Sequence, residues 1–184
     1  MARYADDFVV GFEHKEDAEQ YLRDLQKRLA EFGLEIAEDK TQIVAFGRRS
    51  PEAGKVGPTK VPRTFKFLGF IHYIKPRGKG SKREAVVARK PKPESRNKFL
   101  KNVKEWLKKC MHYSLKWQKK RLAARLNGYY NYFGLPYCQK ALQHVKWHVE
   151  RLWIMTLRRR SQKHNLWWSK VRNQAWFTLP EPRR

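Results

Sequence analysis

Arg3-Tyr4-Ala5-Asp6-Asp7-Phe8-Val9-Val10 sets two adjacent carboxylates directly before an apolar run, near the start of a 184-residue chain. The pattern predicts a tight turn at the acids and a short buried strand over residues 8–12. Neighbouring carboxylates repel one another, so a fold that holds them together commonly neutralises them with divalent cations. Two such ions about 3.5–4 Å apart can clamp the attacking and leaving oxygens of a phosphoryl displacement. Taken alone, Tyr4-Ala5-Asp6-Asp7 reads first as a solvated turn, because Asp is among the commonest turn residues.

Outward from the turn, Ala18, Tyr21, Leu22, Leu25, Leu29 and Phe32 fall at helical spacing with charged residues between them, which predicts an amphipathic helix over residues 14–32. Gly33 follows its last apolar residue and suits the left-handed conformation that ends a helix. Residues 41–46 read as a strand returning to the sheet. Residues 47–63 carry Pro51, Gly54, Gly57, Pro58 and Pro62 and read as an exposed loop. Residues 64–73 predict one arm of a hairpin, with its turn in residues 76–81 and its second arm over residues 84–88. Strand, crossing helix and strand make a small sheet with one covering helix, so the fold class is α+β.

Pro91-Lys92-Pro93 obstructs both helix and ladder pairing and predicts the joint between a domain over 1–90 and a second over 91–184. Beyond it Phe99, Val103, Trp106, Leu107 and Cys110 form one helical stripe. Leu122, Leu126, Tyr129 or Tyr130 and Phe133 form a second, and Leu142, Val145, Val149, Leu152 and Met155 a third. Three helices with short loops predict an all-α bundle, followed by a basic C-terminal tail.

Charge separates the two parts more sharply than hydrophobicity does. The chain holds 42 Lys and Arg against 17 Asp and Glu, a net +25 that points to a polyanionic partner, by default nucleic acid. Residues 1–46 carry 11 acids against 6 bases, whereas residues 47–184 carry 6 acids against 36 bases. An apolar share of 41% is enough for a folded core and excludes a disordered tail. Cys110 and Cys138 lack a second Cys or a His at the short spacing of zinc sites and read as reduced packing thiols. His144 and His148, one helical turn apart, read as a solvated or RNA-facing surface. No run approaches the roughly 18 consecutive apolar residues of a membrane span, and no targeting signal stands at the N-terminus. The expectation is no membrane and a cytoplasmic setting, bacterial-type or in an organellar matrix.

Four ordered blocks carry a resemblance. Arg3-Tyr4-Ala5-Asp6-Asp7-Phe8 resembles the catalytic hairpin of the reverse transcriptases encoded by group II introns. Phe32-Gly33-Leu34-Glu35-Ile36 through Lys40-Thr41-Gln42-Ile43-Val44 resembles their next block, and Phe65-Lys66-Phe67-Leu68-Gly69-Phe70 their primer-grip block. Leu126-Asn127-Gly128-Tyr129-Tyr130-Asn131-Tyr132-Phe133 resembles the signature of their thumb, or maturase, domain. The resemblance implies a partial palm followed by a three-helix thumb bundle, with RNA-directed DNA polymerase and maturase activity. It implies two Mg²⁺ ions, with Asp6 and Asp7 as metal-binding catalytic residues. Its implied partners are intron RNA and a template-primer duplex.

In that family a further metal-binding Asp and the fingers precede the Ala-Asp-Asp turn, whereas here three residues precede Tyr4. Two cations bring four positive charges and Asp6 with Asp7 offers two negative ones, so the expectation is weak metal affinity and polymerisation only with a separately encoded fingers and palm half. Two other readings stand beside it, a non-catalytic RNA-binding module that assists splicing and an inactive remnant.

Further site residues follow. The Lys that matches Lys40 is placed by the resemblance near the departing pyrophosphate, where a cation stabilises developing charge; a surface Lys paired with an acid is the alternative. Phe67, Leu68, Gly69 and Phe70 serve either a hairpin core or primer contact, since Gly69 in a strand lets another backbone approach. Arg77, Lys79, Lys82 and Arg83 form a basic tip. Lys116, Lys119, Lys120 and Arg121 accompany Trp117, and Arg158, Arg159, Arg160 and Lys163 precede Trp167 and Trp168. Cations hold the backbone while exposed rings stack on unpaired bases, which favours structured or single-stranded RNA. Trp106, Trp153 and Trp176 read as packing residues, and Trp167 and Trp168 as stacking ones.

Overall fold

The computed structural model describes residues 1–46, 64–76, 85–160 and 166–182. The chain is α+β, with two small sheets followed by helices, and divides into two compact units, Met1–Ala88 and Arg89–Arg184.

In the first unit β1 (Ala2–Tyr4) pairs antiparallel with β2 (Asp7–Val9), with Tyr4 opposite Asp7. The expected buried strand over residues 8–12 is shorter and lies nearer the surface. Phe8 is exposed and Val9 half-buried, because a two-stranded ribbon covers neither face of its own side chains. Helix α1 (Lys15–Ala30) follows, with Glu16 and Asp17 in its first turn and Lys27 and Arg28 in its last, matching the helix dipole. Gly33 takes a φ of +66° while the Leu34 N–H returns to the Leu29 carbonyl, as the spacing predicts. The stripe Ala18, Tyr21, Leu22, Leu25 and Leu29 is half-buried, and Phe32 is exposed.

Residues 41–46 form no strand and join no ladder among the described residues, which corrects the expected strand. The hairpin arm expected over residues 64–73 is itself a hairpin. Strand β3 (Thr64–Phe67) turns through Leu68 and Gly69 into β4 (Phe70–Pro76), with Phe67 opposite Phe70. Leu68 and Gly69 both take positive φ, 45° and 77°, the signature of the type I′ turn whose twist matches the flanking strands. Strand β5 (Ala85–Pro91) hydrogen-bonds to β4 and completes a three-stranded sheet. Stacked Phe65 and His72 (ring centroids 4.6 Å apart) and edge-on Phe46 against Phe65 (4.8 Å) cover part of it. The loop read over residues 47–63 and the turn over 77–81 lie outside the described residues.

The second unit is a helical bundle. Helix α2 (Pro93–Lys109) begins on Pro93, whose missing N–H costs nothing at a first turn. Helix α3 (Leu115–Phe133) starts at Ser114, whose hydroxyl accepts from the Trp117 N–H at 3.4 Å. Helix α4 (Gln139–Arg158) and the short α5 (Trp168–Val171) complete the set. Val103 and Leu107 of α2 and Leu122, Leu126, Tyr129, Tyr130 and Phe133 of α3 are buried in the core, and Phe99 of α2 meets Tyr129 of α3 at 4.5 Å between ring centroids.

The α4 stripe runs through Leu142, Val145, Val149, Trp153 and Leu157; Leu152 is half-buried and Met155 exposed. The expected stripe drifted because steps of three after Val149 lag behind a 3.6-residue turn. Trp153 is fully buried and stacks on Phe177 at 5.1 Å, so the tail is folded onto the bundle. Buried Gln118 ties three segments together. It accepts from Trp153 Nε1 at 2.8 Å and donates to the Cys110 and Met111 carbonyls at the end of α2. Cys110 and Cys138 are buried free thiols.

Candidate functional site

The Asp6-Asp7 pair sits on the β1–β2 hairpin. Ala5 and Asp6 form its two-residue turn, and Arg3 Nε donates to the Ala5 carbonyl at 2.9 Å, bracing it. Ala5 has a φ of 52°, a left-handed conformation that a residue with a Cβ adopts at a cost of roughly 1–2 kcal/mol. Such outliers concentrate at functional turns, where the surrounding structure fixes them. Asp6 and Asp7 are both exposed. Adjacent oxygen donors of this kind suit Mg²⁺, which takes one or two carboxylates and completes its shell with water and substrate phosphates. Among the described residues no group of three His, Cys, Asp or Glu side chains is placed to hold a metal.

Lys40 is exposed in a turn whose N–H returns to the Ala37 carbonyl at 3.1 Å. Among the described residues no hydrogen bond or ion pair joins it to Asp6 or Asp7. Phe67, Leu68, Gly69 and Phe70 are the β3–β4 turn itself. Gly69 is therefore required by its positive φ, a different reason from the strand contact read for it in the sequence. Phe70 is buried, while Phe67 and Leu68 are half-buried. Arg77, Lys79, Lys82, Arg83 and Lys163 lie outside the described residues.

The basic residues of the second unit divide into two groups. Lys119 donates to the Ala175 carbonyl at 2.7 Å, Arg158 Nε to the Leu166 carbonyl at 2.8 Å, and Arg160 to the Tyr113 carbonyl at 2.7 Å. These three hold the fold, and burial pushes the Arg160 pKa down. Lys116, Lys120, Arg121 and Arg159 are exposed.

The exposed cations of α3 lie beside aromatic rings. Trp106 and Trp117 stack at 5.8 Å with 22° between their planes; Arg121 lies over Trp117 at 5.5 Å and Arg125 over Trp106 at 4.7 Å. A guanidinium held on a ring keeps its charge available and spends less rotamer freedom on meeting a phosphate. Helix α4 repeats the device, with Arg151 over Trp147 at 4.7 Å and His144 parallel to Trp147 at 6.0 Å. Trp167 is 57% exposed with Arg158 over its ring at 5.3 Å, whereas Trp168 is half-buried.

Arg125, Trp147 and Arg151 escaped the sequence reading, which followed runs of basic residues. Trp117–Arg121 and Trp147–Arg151 share an i,i+4 spacing that places ring and cation on one helix face. That spacing was the available signal. Trp106, which the spacing assigns to packing, is half-buried and also carries Arg125.

No curated protein and no solved structure matches the chain. Residues 1–72 match the family model described as reverse transcriptase (RNA-dependent DNA polymerase), a span that contains the Asp6-Asp7 turn, Lys40 and the Phe67-Phe70 turn. The match supports a reverse transcriptase as the relative of this part of the chain.

Proposed function

We propose that the chain is the late-palm and thumb portion of an RNA-directed DNA polymerase and maturase of group II intron type, binding intron RNA and a template-primer duplex. The observation that carries this reading is the reverse-transcriptase match over residues 1–72, a span that includes the adjacent carboxylates Asp6 and Asp7 beside the left-handed Ala5 of the β1–β2 turn.

In this reading Asp6 and Asp7 hold Mg²⁺, which when bound supplies charge neutralisation at the reacting phosphate. The exposed hairpin turn presents their oxygens to incoming phosphate, and Lys40 offsets charge on the departing pyrophosphate. Phe67 to Phe70 form a rigid turn against which a primer backbone rests. The exposed cations Lys116, Lys120, Arg121 and Arg125 hold phosphates of the duplex, and Trp167 stacks on unpaired bases. Asp6 and Asp7 supply two negative charges against the four positive charges of two Mg²⁺ ions, so the proposed centre takes a further carboxylate from outside residues 1–72.

Primer extension with Mg²⁺ on an RNA template tests the reading, run on the chain with an upstream reverse-transcriptase half and on an Asp6→Asn, Asp7→Asn variant. Extension that requires both aspartates is expected. Extension that persists in the variant contradicts the metal assignment. A second reading, an RNA-binding splicing module without polymerase chemistry, is favoured by the exposed arginines held over rings on α3 and α4. It predicts RNA binding unchanged by the double variant and no extension under any pairing.

A further inference from the structure

The helical unit contains a cleft of about 340 Å³ between α4 and the segment that follows α5. Trp147 and Trp168 form part of its wall, edge to face with centroids 6.5 Å apart. Trp168 is also held edge-on by buried Phe177 at 6.2 Å, so its ring is fixed before any ligand arrives.

The charges in the cleft cancel. Lys146 pairs with Glu150 at 3.5 Å and with Glu181, and Arg172 acts favourably on Glu150. On a chain of net charge +25 this is a nearly neutral pocket. A phosphate entering it would meet two carboxylates, and a cationic side chain would meet Lys146 and Arg172. A flat neutral group with a hydrogen-bonding edge meets neither penalty. Asn173 contributes an amide with both donor and acceptor, and Thr178 a hydroxyl that donates to the Gln174 carbonyl at 3.3 Å and keeps its acceptor capacity.

We propose that this cleft receives one unpaired nucleobase of a bound RNA, stacked on Trp168 and met at its edge by Asn173 and Thr178. The inference rests on the RNA-binding reading and adds to it a seat for a base, where the exposed arginines and lysines engage phosphates.

The test compares a single-stranded RNA with the same ribose-phosphate strand lacking its bases, each titrated against the full chain by fluorescence anisotropy. The readout is the ratio of the two affinities, which isolates bases from phosphates. Wild type is expected to favour the intact strand about tenfold or more, the scale of base–aromatic stacking. Trp168→Ala and the exposed-site variant Asn173→Ala are expected to lower that ratio severalfold, and Trp168→Phe to keep most of it. A ratio near one in wild type, or an equal ratio in all the variants, overturns the cleft as a base site while leaving phosphate-driven binding in place. Failure of the chain to bind either strand at low salt removes both this proposal and the RNA-binding reading beneath it.

Discussion

Residues 1–88 bury two members of the apolar core, Phe70 and Ala88, and residues 89–184 bury eighteen, counting the described residues. The first unit carries the acidic turn and the reverse-transcriptase match; the second carries the packed bundle and the cation-covered rings. In the first, residue identity follows chemistry and turn geometry, since a two-stranded ribbon and a half-buried helix place few steric demands on their side chains. In the second it follows burial, since α2, α3 and α4 enclose one another's apolar stripes. Chemistry is distributed accordingly, with a strained turn and carboxylates on the first unit and exposed cations held over rings on the second.

The largest expected effect lies in the bundle. Trp153→Ala removes a fully buried ring and strands Gln118, which should cost about 3–5 kcal/mol, whereas Leu25→Ala on half-buried α1 should cost about 1 kcal/mol or less. Native-state amide exchange, read in α1 for Leu25→Ala and in α4 for Trp153→Ala, measures each cost in its own unit. Equal costs at the two sites would erase the distinction between the units. Next in size, Gly134→Ala drives a Cβ into the Tyr130 carbonyl, backbone that cannot step aside, and should cost about 1–3 kcal/mol. Gly11→Ala meets no neighbour within 4 Å, and its melting temperature should stay near that of wild type.

Turn chemistry offers a smaller change of opposite sign. Ala5→Gly and Leu68→Asn each relieve a positive φ and should stabilise their hairpins by about 0.5–1 kcal/mol, read as slower amide exchange in β1–β2 and β3–β4. Unchanged exchange would remove strain as a property of the Asp6-Asp7 turn.

The smallest effect is a pH dependence in the bundle. Burial first, then His144, Arg96 and Arg151, holds the His148 pKa below 6.5. A depressed folded pKa means that the neutral ring is favoured, so its stabilisation is full above pH 6.5 and fades as pH falls through the lower folded value. Glu150 works in the opposite direction, because burial raises its pKa and the fold gains relative stability as acid protonates it. Melting curves of wild type and His148→Gln between pH 7.5 and roughly 5 should therefore converge as pH falls. Parallel curves would show that the imidazole is not coupled to folding.

Periodicity made the helices legible: the stripes of α2 and α3 in the bundle and the left-handed Gly33 after α1 needed nothing beyond spacing. The α4 stripe slipped because Leu152 and Met155 are apolar residues that the helix turns partly or largely toward solvent, a distinction that hydrophobicity alone does not make. The β3–β4 turn was hidden by Leu68, since Leu-Gly lacks the Asn or Asp that advertises a type I′ turn. Residues 41–46 look like a strand by composition, but a ladder needs a partner, which spacing cannot report. At the candidate site the acid pair stood out in the sequence, while Arg125 and Arg151 did not, because their role comes from the rings beneath them.

The division of labour is tested most directly by the salt dependence of RNA affinity, measured for the wild-type chain and for a Lys116→Gln, Lys120→Gln, Arg121→Gln, Arg125→Gln variant. Each single-stranded phosphate neutralised contributes about 0.7 to the slope of log affinity against log salt. A steep wild-type slope that falls by roughly 2–3 in the variant, while Asp6→Asn with Asp7→Asn leaves it unchanged or steeper, is the predicted result. A flat wild-type response, or a slope untouched by removing the four cations, would contradict the account.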